Sequence, residues 1–303
     1  MTEAGTRHTR PFTDLRRDDE PLFGAKSASL GELLAGGVPV PAGFAVASAA
    51  ESEELLAEIA AAYEALGDDP AVAVRSSAIG EDSADATFAG QHDTYLWVRG
   101  AEAVCAAVRD CWASLENPEA VSYRERVGAD GPPAMGVAVQ LMVDAVVSGV
   151  MFTCNPVSGD PSTLAVNASW GLGSAVVGGE VTPDEYRVNK VTGEVTMRTI
   201  GPKEVEDVPD PDGPGTVRRE VPPERRETAC LGDSSLAALL DLGKRIERHF
   251  GSHQDVEWAL SRDGGELLVL QSRPVTVRPS AQPVETQSAL SLVMKTFGAG
   301  KGS

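Results

Sequence analysis

Apolar and polar positions alternate along the chain in a way that marks out short helices and strands. In PLFGAKSASLGELLAGGVPVPAGF, Leu30, Leu33 and Leu34 fall at i, i+3 and i+4, and Gly36 and Gly37 stop the run. The spacing predicts a short helix followed by an extended VPVP stretch, with Lys26 just before the helix or in its first turn. Ser48 and Glu51 form a capping-box pattern ahead of a second helix, which has Leu55, Ile59, Tyr63 and Leu66 on one face and Gly67 at its end. AVAVRS reads as a strand carrying Arg75 at its end. The small-residue stretch SAIGEDSADATFAGQHDTY that follows is too long for a passive connection. A helix over 101–116 places Val104, Val108, Cys111 and Leu115 on one stripe.

GVAVQLMV, VSGVMFTCNP and LAVNAS are β-rich runs parted by turn residues, so the middle of the chain reads as a sheet. The Gly-rich ASWGLGSAVVGG follows, then a hairpin, EYRVNKVTGEVTMRTI, turning at Thr192-Gly193. DVPDPDGPGTVRREVPPERR, rich in Pro, Gly and charge, reads as a surface linker or insertion over 205–226. A helix from near Ser234 carries Leu236, Leu239, Gly243, Ile246 and Phe250 on one face and ends at Gly251. Two alternating runs about a DGG turn, DVEWALSRDGGELLVLQSRPVTV, precede a polar tail over 279–303, while residues 1–20 are charged and aperiodic and read as a flexible arm.

The 303 residues carry 26 basic and 45 acidic side chains, a formal net charge of −19. Such a balance speaks against an extended basic surface for nucleic acid. No apolar run approaches the roughly 20 residues that span a bilayer. The N-terminal stretch also lacks a secretory core, so no membrane partner and a cytoplasmic location are expected. Cys105, Cys111, Cys154 and Cys230 show neither CxxC nor a His at zinc spacing, and read as reduced, buried thiols.

The chemistry concentrates in the last hairpin. Strand alternation puts Asp255 and Glu257 on one face and Val256, Trp258 and Leu260 on the other, and Gln271 and Arg273 share a face of the returning strand. If the register aligns the polar faces, two carboxylates, an amide and a guanidinium converge. Magnesium takes hard oxygen ligands, commonly a few carboxylates shared with substrate phosphates, and arginine offers phosphate a fork of donors. Taken alone, a solvated hairpin face with a surface ion pair is the commoner meaning of this pattern. Lys26 and Arg75 each stand at the end of an element beside small residues. FAGQ offers unencumbered backbone N–H groups of the kind that cover phosphate, or is a plain surface loop. GLGSAVVGG contains no GxGxxG and opens no βαβ unit, which excludes a dinucleotide loop.

GAKSASLGELLAGGVPVPAGF, VRSSAIGEDSADATFAGQHDTYL, CWASLENPEAVSYRER, VAVQLMV, SGVMFTCNP, WGLGSAVVGGEVTPDEYRV and DVEWAL with LQSRPVT occur in one order from Phe23 to Val277. In this order and character the chain resembles the ATP-binding domain shared by phosphoenolpyruvate synthase, pyruvate phosphate dikinase and rifamycin phosphotransferase. The resemblance implies an α+β, ATP-grasp fold in two lobes, 21–130 and 131–278, with the nucleotide between them. It implies ATP and Mg²⁺ as cofactors. Lys26 and Arg75 would bind the phosphates, the loop around Gly90 would close over them, and Thr153 would contact phosphate. Glu257 and Gln271, with Asp255 nearby, would organise the metal. Arg273, with Lys26 and Arg75, would neutralise charge on the transferred phosphoryl group.

Two departures from the family bear on function. The family commonly reads WGLGE, with an acid toward the nucleoside, where this chain has Ser174; if the serine is a simple loss, a glutamate there would tighten nucleotide binding. The four histidines, His8, His92, His249 and His253, do not sit in the TSH-type context of the family's carrier histidine. The resemblance thus implies a dikinase-type phosphotransferase that passes a phosphoryl group to a His on a separate protein. The alternatives are direct phosphorylation of a small-molecule acceptor in a biosynthetic or resistance pathway, and a non-catalytic nucleotide-binding regulatory module.

Overall fold

A computed structural model describes residues 8–48, 52–78, 94–116 and 135–275. The chain divides into two compact units. The first comprises Met1–Glu32, Pro41–Met142 and Asp212–Gly215, the second Leu33–Val40, Val143–Pro211 and Thr216–Ser303.

The first unit contains β1 (Thr9–Pro11), α1 (Glu20–Phe23), α2 (Ala25–Ala35, whose last turn falls in the second unit), β2 (Gly43–Val46), α3 (Glu53–Glu64), β3 (Val72–Ala78), β4 (Thr94–Val98), α4 (Ala101–Ala113) and β5 (Met135–Leu141). Its antiparallel sheet runs β1-β2-β5-β3-β4. One face of that sheet, with Val72, Val74, Val137 and Val139, packs on the apolar stripes of α3 and α4, including Leu55, Ile59, Val108 and Cys111. These stripes are the ones the spacing predicts. The cap of α3 is not: Ser52, rather than Ser48, accepts the Leu55 N–H at 3.1 Å, while Ser48 Oγ accepts the N–H of Met135 at 3.1 Å. From residue 8 onward the expected arm is ordered, because β1 pairs with β2 and Phe12 and Leu15 are buried. β5, expected in the second lobe, sits in the first unit's sheet because it inserts between β2 and β3.

The second unit contains β6 (Ala145–Phe152), β7 (Thr163–Trp170), α5 (Ser174–Val177), β8 (Asp184–Asn189), β9 (Val195–Thr199), β10 (Val205–Pro209), β11 (Thr216–Glu220), α6 (Pro223–Arg226), α7 (Asp233–Phe250), β12 (Gln254–Ser261) and β13 (Leu267–Pro274). Its antiparallel sheet has the order β13-β12-β6-β7-β8-β9. On one face lies α7: a Cβ built on Gly243 would stand 2.9 Å from Leu164 and 3.7 Å from Met151 and Thr153, so glycine lets this helix lie close. On the other face Val150, Phe152 and Ala165 pack with Val177 of α5 and with Val275.

The stretch 205–226 is not a plain linker. It forms the β10–β11 hairpin followed by α6, and Glu206, Asp207, Val208 and Val221 are buried. The ion pairs Arg218–Asp207 and Arg219–Glu206 neutralise what looks in the sequence like solvated charge. Cys105, Cys111 and Cys154 are buried and Cys230 partly so; burial holds the thiols of Cys105, Cys154 and Cys230 above their ordinary value. Among the described residues no helix is long and apolar enough to cross a membrane.

Candidate functional site

Antiparallel pairing sets side chains of directly opposed residues side by side on one face. β12 and β13 pair Asp255 with Arg273 and Glu257 with Gln271, and across β6 the same two rows continue through Phe152 and Val150 to Ala165 and Asn167 of β7. The two carboxylates, the amide and the guanidinium therefore share the face that α5 partly covers. The Arg273 Nε donates to Asp255 Oδ2 at 2.9 Å, and its Nη2 stands 2.9 Å from the same oxygen. Asp255 is only 6% exposed, and its Oδ1 has no hydrogen-bond partner.

An unpartnered carboxylate oxygen this deeply buried is costly unless a cation or proton meets it. Asp255 Oδ1, Glu257 and Gln271 are hard oxygen donors on one face, which fits magnesium. Among the described residues no group of three or more His, Cys, Asp and Glu forms a metal cage of its own. Two carboxylates and an amide suit instead an ion that completes its shell with phosphate oxygens and water.

Burial raises the Asp255 carboxyl to about 6; the Arg273 guanidinium opposes the shift and the Glu257 charge adds to it. A carboxyl raised in the folded state holds its proton more tightly folded than unfolded, so stability declines as pH rises from the ordinary carboxylate value through about 6. The asparagine variant lacks this titration. Without metal or nucleotide, Asp255→Asn is expected to gain on wild type by on the order of 1 kcal/mol between pH 5 and pH 7.5, in denaturant melts at matched ionic strength. A constant difference across that range would show that Asp255 is well solvated.

In the first unit, Lys26 bonds to the last part of β3, whereas Arg75 is the middle residue of that strand, which runs on to Ala78 rather than ending at Arg75 as the sequence suggests. The backbone N–H of Lys26 donates to Ser77 Oγ at 3.0 Å, and its Nζ donates to the carbonyl of Ser76 at 2.9 Å. The approach depends on Gly24, at φ +80°, where a Cβ would stand 2.2 Å from the Ser77 carbonyl. Arg75 lies beside Ala138 and Thr94 in the register.

Two of the expected contacts stand apart from these sets. The Thr153 side chain faces α7, on the opposite side of the sheet from Asp255 and Glu257, and its Oγ1 accepts the Gln254 N–H at 2.8 Å. It is fully buried. This arrangement ties β6 to β12 rather than presenting a hydroxyl to a ligand. Gly90 lies outside the described residues.

The structure also shows groups that spacing did not single out. Asn167 is 1% exposed, lies on the same face as Glu257, and its Nδ2 has no partner. Asp184 and Lys203, both fully buried, form an ion pair at the root of the β8–β9 hairpin. Nothing in the spacing of a lone Asp and a lone Lys announces such a pair.

Residues 48–292 match the family described as pyruvate phosphate dikinase, AMP/ATP-binding domain. The chain belongs to that family, and its helices and antiparallel sheets are of the α+β class that the resemblance implied. It is 39% identical to a probable phosphoenolpyruvate synthase of Methanothermobacter thermautotrophicus, over 96% of this chain and 49% of that protein. It is 34% identical to the phosphoenolpyruvate synthase of Pyrococcus furiosus, over 98% of this chain and 47% of that protein. It is 45% identical to a rifampicin phosphotransferase of a Streptomyces species, over 74% of this chain and 25% of that protein. The chain thus spans about half the length, or less, of these curated relatives.

Proposed function

We propose that this chain is the nucleotide-binding part of an ATP-dependent phosphotransferase of the phosphoenolpyruvate synthase type. The observation that carries this reading is the register of β12 and β13, which sets Asp255 against Arg273 and Glu257 against Gln271 on one sheet face. Phosphoryl transfer asks the protein mainly for positioning and for charge neutralisation. Lys26 and Arg75 hold nucleotide phosphates. Glu257 and Gln271, with Asp255, hold magnesium, which when bound would supply positive charge to the phosphates. Arg273, oriented by its bond to Asp255, meets negative charge that grows on the transferred group.

The acceptor is a His on a separate carrier protein. The 45% identity to a rifampicin phosphotransferase favours, as a second reading, direct transfer to a small hydroxyl-bearing molecule. Measuring AMP against ADP, with and without a His-carrier protein, separates the two.

Mg-ATP titrated into the chain at millimolar concentration is expected to release or absorb heat and to raise the melting temperature, and both effects are expected to shrink when magnesium is chelated. Neither heat nor stabilisation in the presence of magnesium would remove the nucleotide-binding reading.

A further inference from the structure

β7 lies two strands from β12, across β6, and its residues Ala165, Asn167 and Ser169 belong to the face that carries Asp255 and Glu257. Two of these three are polar and sealed. Asn167 is 1% exposed and Ser169 0%, and neither Asn167 Nδ2 nor Ser169 Oγ has a hydrogen-bond partner among the described residues. The polar groups around them are already engaged. Ser148, directly opposite Ser169, donates its hydroxyl proton to the Gly171 carbonyl at 2.7 Å. Past the end of β7, the Leu172 N–H donates to the Asp207 carbonyl at 2.8 Å, and Ser174 Oγ donates to Asp207 Oδ2 at 2.6 Å, a carboxylate that Arg218 also holds. A buried donor without an acceptor costs stability, and a pair of them two residues apart on one strand is explained where a ligand supplies the acceptors.

Resting on the nucleotide-binding reading, we propose that Asn167 and Ser169 are further binding residues, neutral donors to oxygens of the phosphate chain that extend the site from the β12–β13 hairpin across β6 to β7. The register sets Asn167 at the end of the row Gln271, Glu257, Val150, Asn167. Neighbouring strands stand about 4.8 Å apart, so roughly 10 Å separates the backbones of Glu257 and Asn167. A metal ion with one phosphate group spans that gap, the ion at the carboxylate and a phosphate oxygen at the amide. Val177 and Val275, both half-buried, pack on Val150 in between, and the ligand displaces these two side chains to reach the amide. An amide N–H and a hydroxyl bring no charge, so they hold the chain of phosphates without drawing it away from Lys26, Arg75 and Arg273.

The test is calorimetric titration of Mg-ATP and of magnesium tripolyphosphate into wild type, Asn167→Leu and Ser169→Ala, with melting curves of each protein alone. Without ligand, both variants are expected to melt at or above the wild-type temperature, because each removes a buried polar group that has no bond to lose. A merely structural role gives the opposite sign. Each variant is expected to bind Mg-ATP about tenfold more weakly, the worth of one hydrogen bond to a charged acceptor, and tripolyphosphate more weakly by a similar factor. Mg-ATP affinity equal to wild type in both variants would overturn the proposal. So would melting of both ligand-free variants well below wild type, which would give the two groups structural partners such as trapped water. A loss confined to ATP, with tripolyphosphate binding equal in variant and wild type, would move the donors to the nucleoside and overturn the phosphate assignment. No heat and no stabilisation when Mg-ATP meets wild type would instead remove the nucleotide reading itself.

Discussion

Glu257→Ala is expected to lower nucleotide turnover by two to three orders of magnitude or more, while ATP affinity falls by no more than about tenfold. The asymmetry follows from where the carboxylate stands. Glu257 opposes Gln271 in the register and shares its face with Asp255. Removing one of the oxygen donors displaces the positive charge that the transition state needs more than the ground state does, so the loss appears in kcat rather than in binding. Glu257→Gln keeps the shape and a hydrogen-bonding oxygen but not the charge, and is expected to fail nearly as badly. A metal readout independent of turnover comes from Mn²⁺ titration followed by electron paramagnetic resonance, in which both variants are expected to bind the ion more weakly. Turnover and Mn²⁺ affinity equal to wild type in Glu257→Ala would end the metal role.

Lys203→Met is expected to cost about 3–5 kcal/mol of unfolding free energy, because it leaves a charged, fully buried carboxylate without its cation. Asp184 accepts from the Lys203 ammonium and from the Gly201 N–H at 3.0 Å through Oδ1, and from the Cys230 N–H at 2.8 Å and the Tyr186 hydroxyl at 3.0 Å through Oδ2. Lys203 itself sits at φ +29°, a conformation that a lysine adopts only where its surroundings hold it. The amides and the hydroxyl remain in Lys203→Met, but they do not balance a full charge. The double variant Asp184→Asn/Lys203→Met is expected to recover more than half of the loss in urea melts, and a single-variant loss below about 1 kcal/mol would mean that water reaches the carboxylate.

That Asp255, Glu257, Gln271 and Arg273 share a face of the last hairpin could be read from sequence because a period of two fixes which residues lie together. The DGG turn, with Gly264 and Gly265 at φ +86° and +68°, left only the register to be determined. The helices followed from their apolar spacing for the same kind of reason. Thr153 shows the limit: strand alternation puts it opposite Phe152, but which of the two faces is covered by a helix is decided by α7, whose Gly243 packs over Thr153. Ser48 and Ser52 both satisfy local capping chemistry, and the partner of Ser48 is 87 residues away, at Met135. The reading of 205–226 as a linker failed on charge, since burial of Glu206 and Asp207 depends on arginines in the opposite strand. The Ser174 cluster and the Asp184–Lys203 pair share that property, being held together by pairs distant in sequence that leave no periodic trace.

The position of β12 in the sheet also sets the order in which the site can form. β12 lies between β6 and β13, and the bonds joining Thr153 to Gln254 span 101 residues. A ribosome building this chain releases β6, β7, β8 and β9 well before the strand that carries both carboxylates. Until β12 arrives, β6 presents an open edge, the kind of exposed backbone that invites mispairing during synthesis. The carboxylates of β12 emerge first, and the amide and the arginine follow on β13 of the same hairpin, so the whole set is completed by one late, local element.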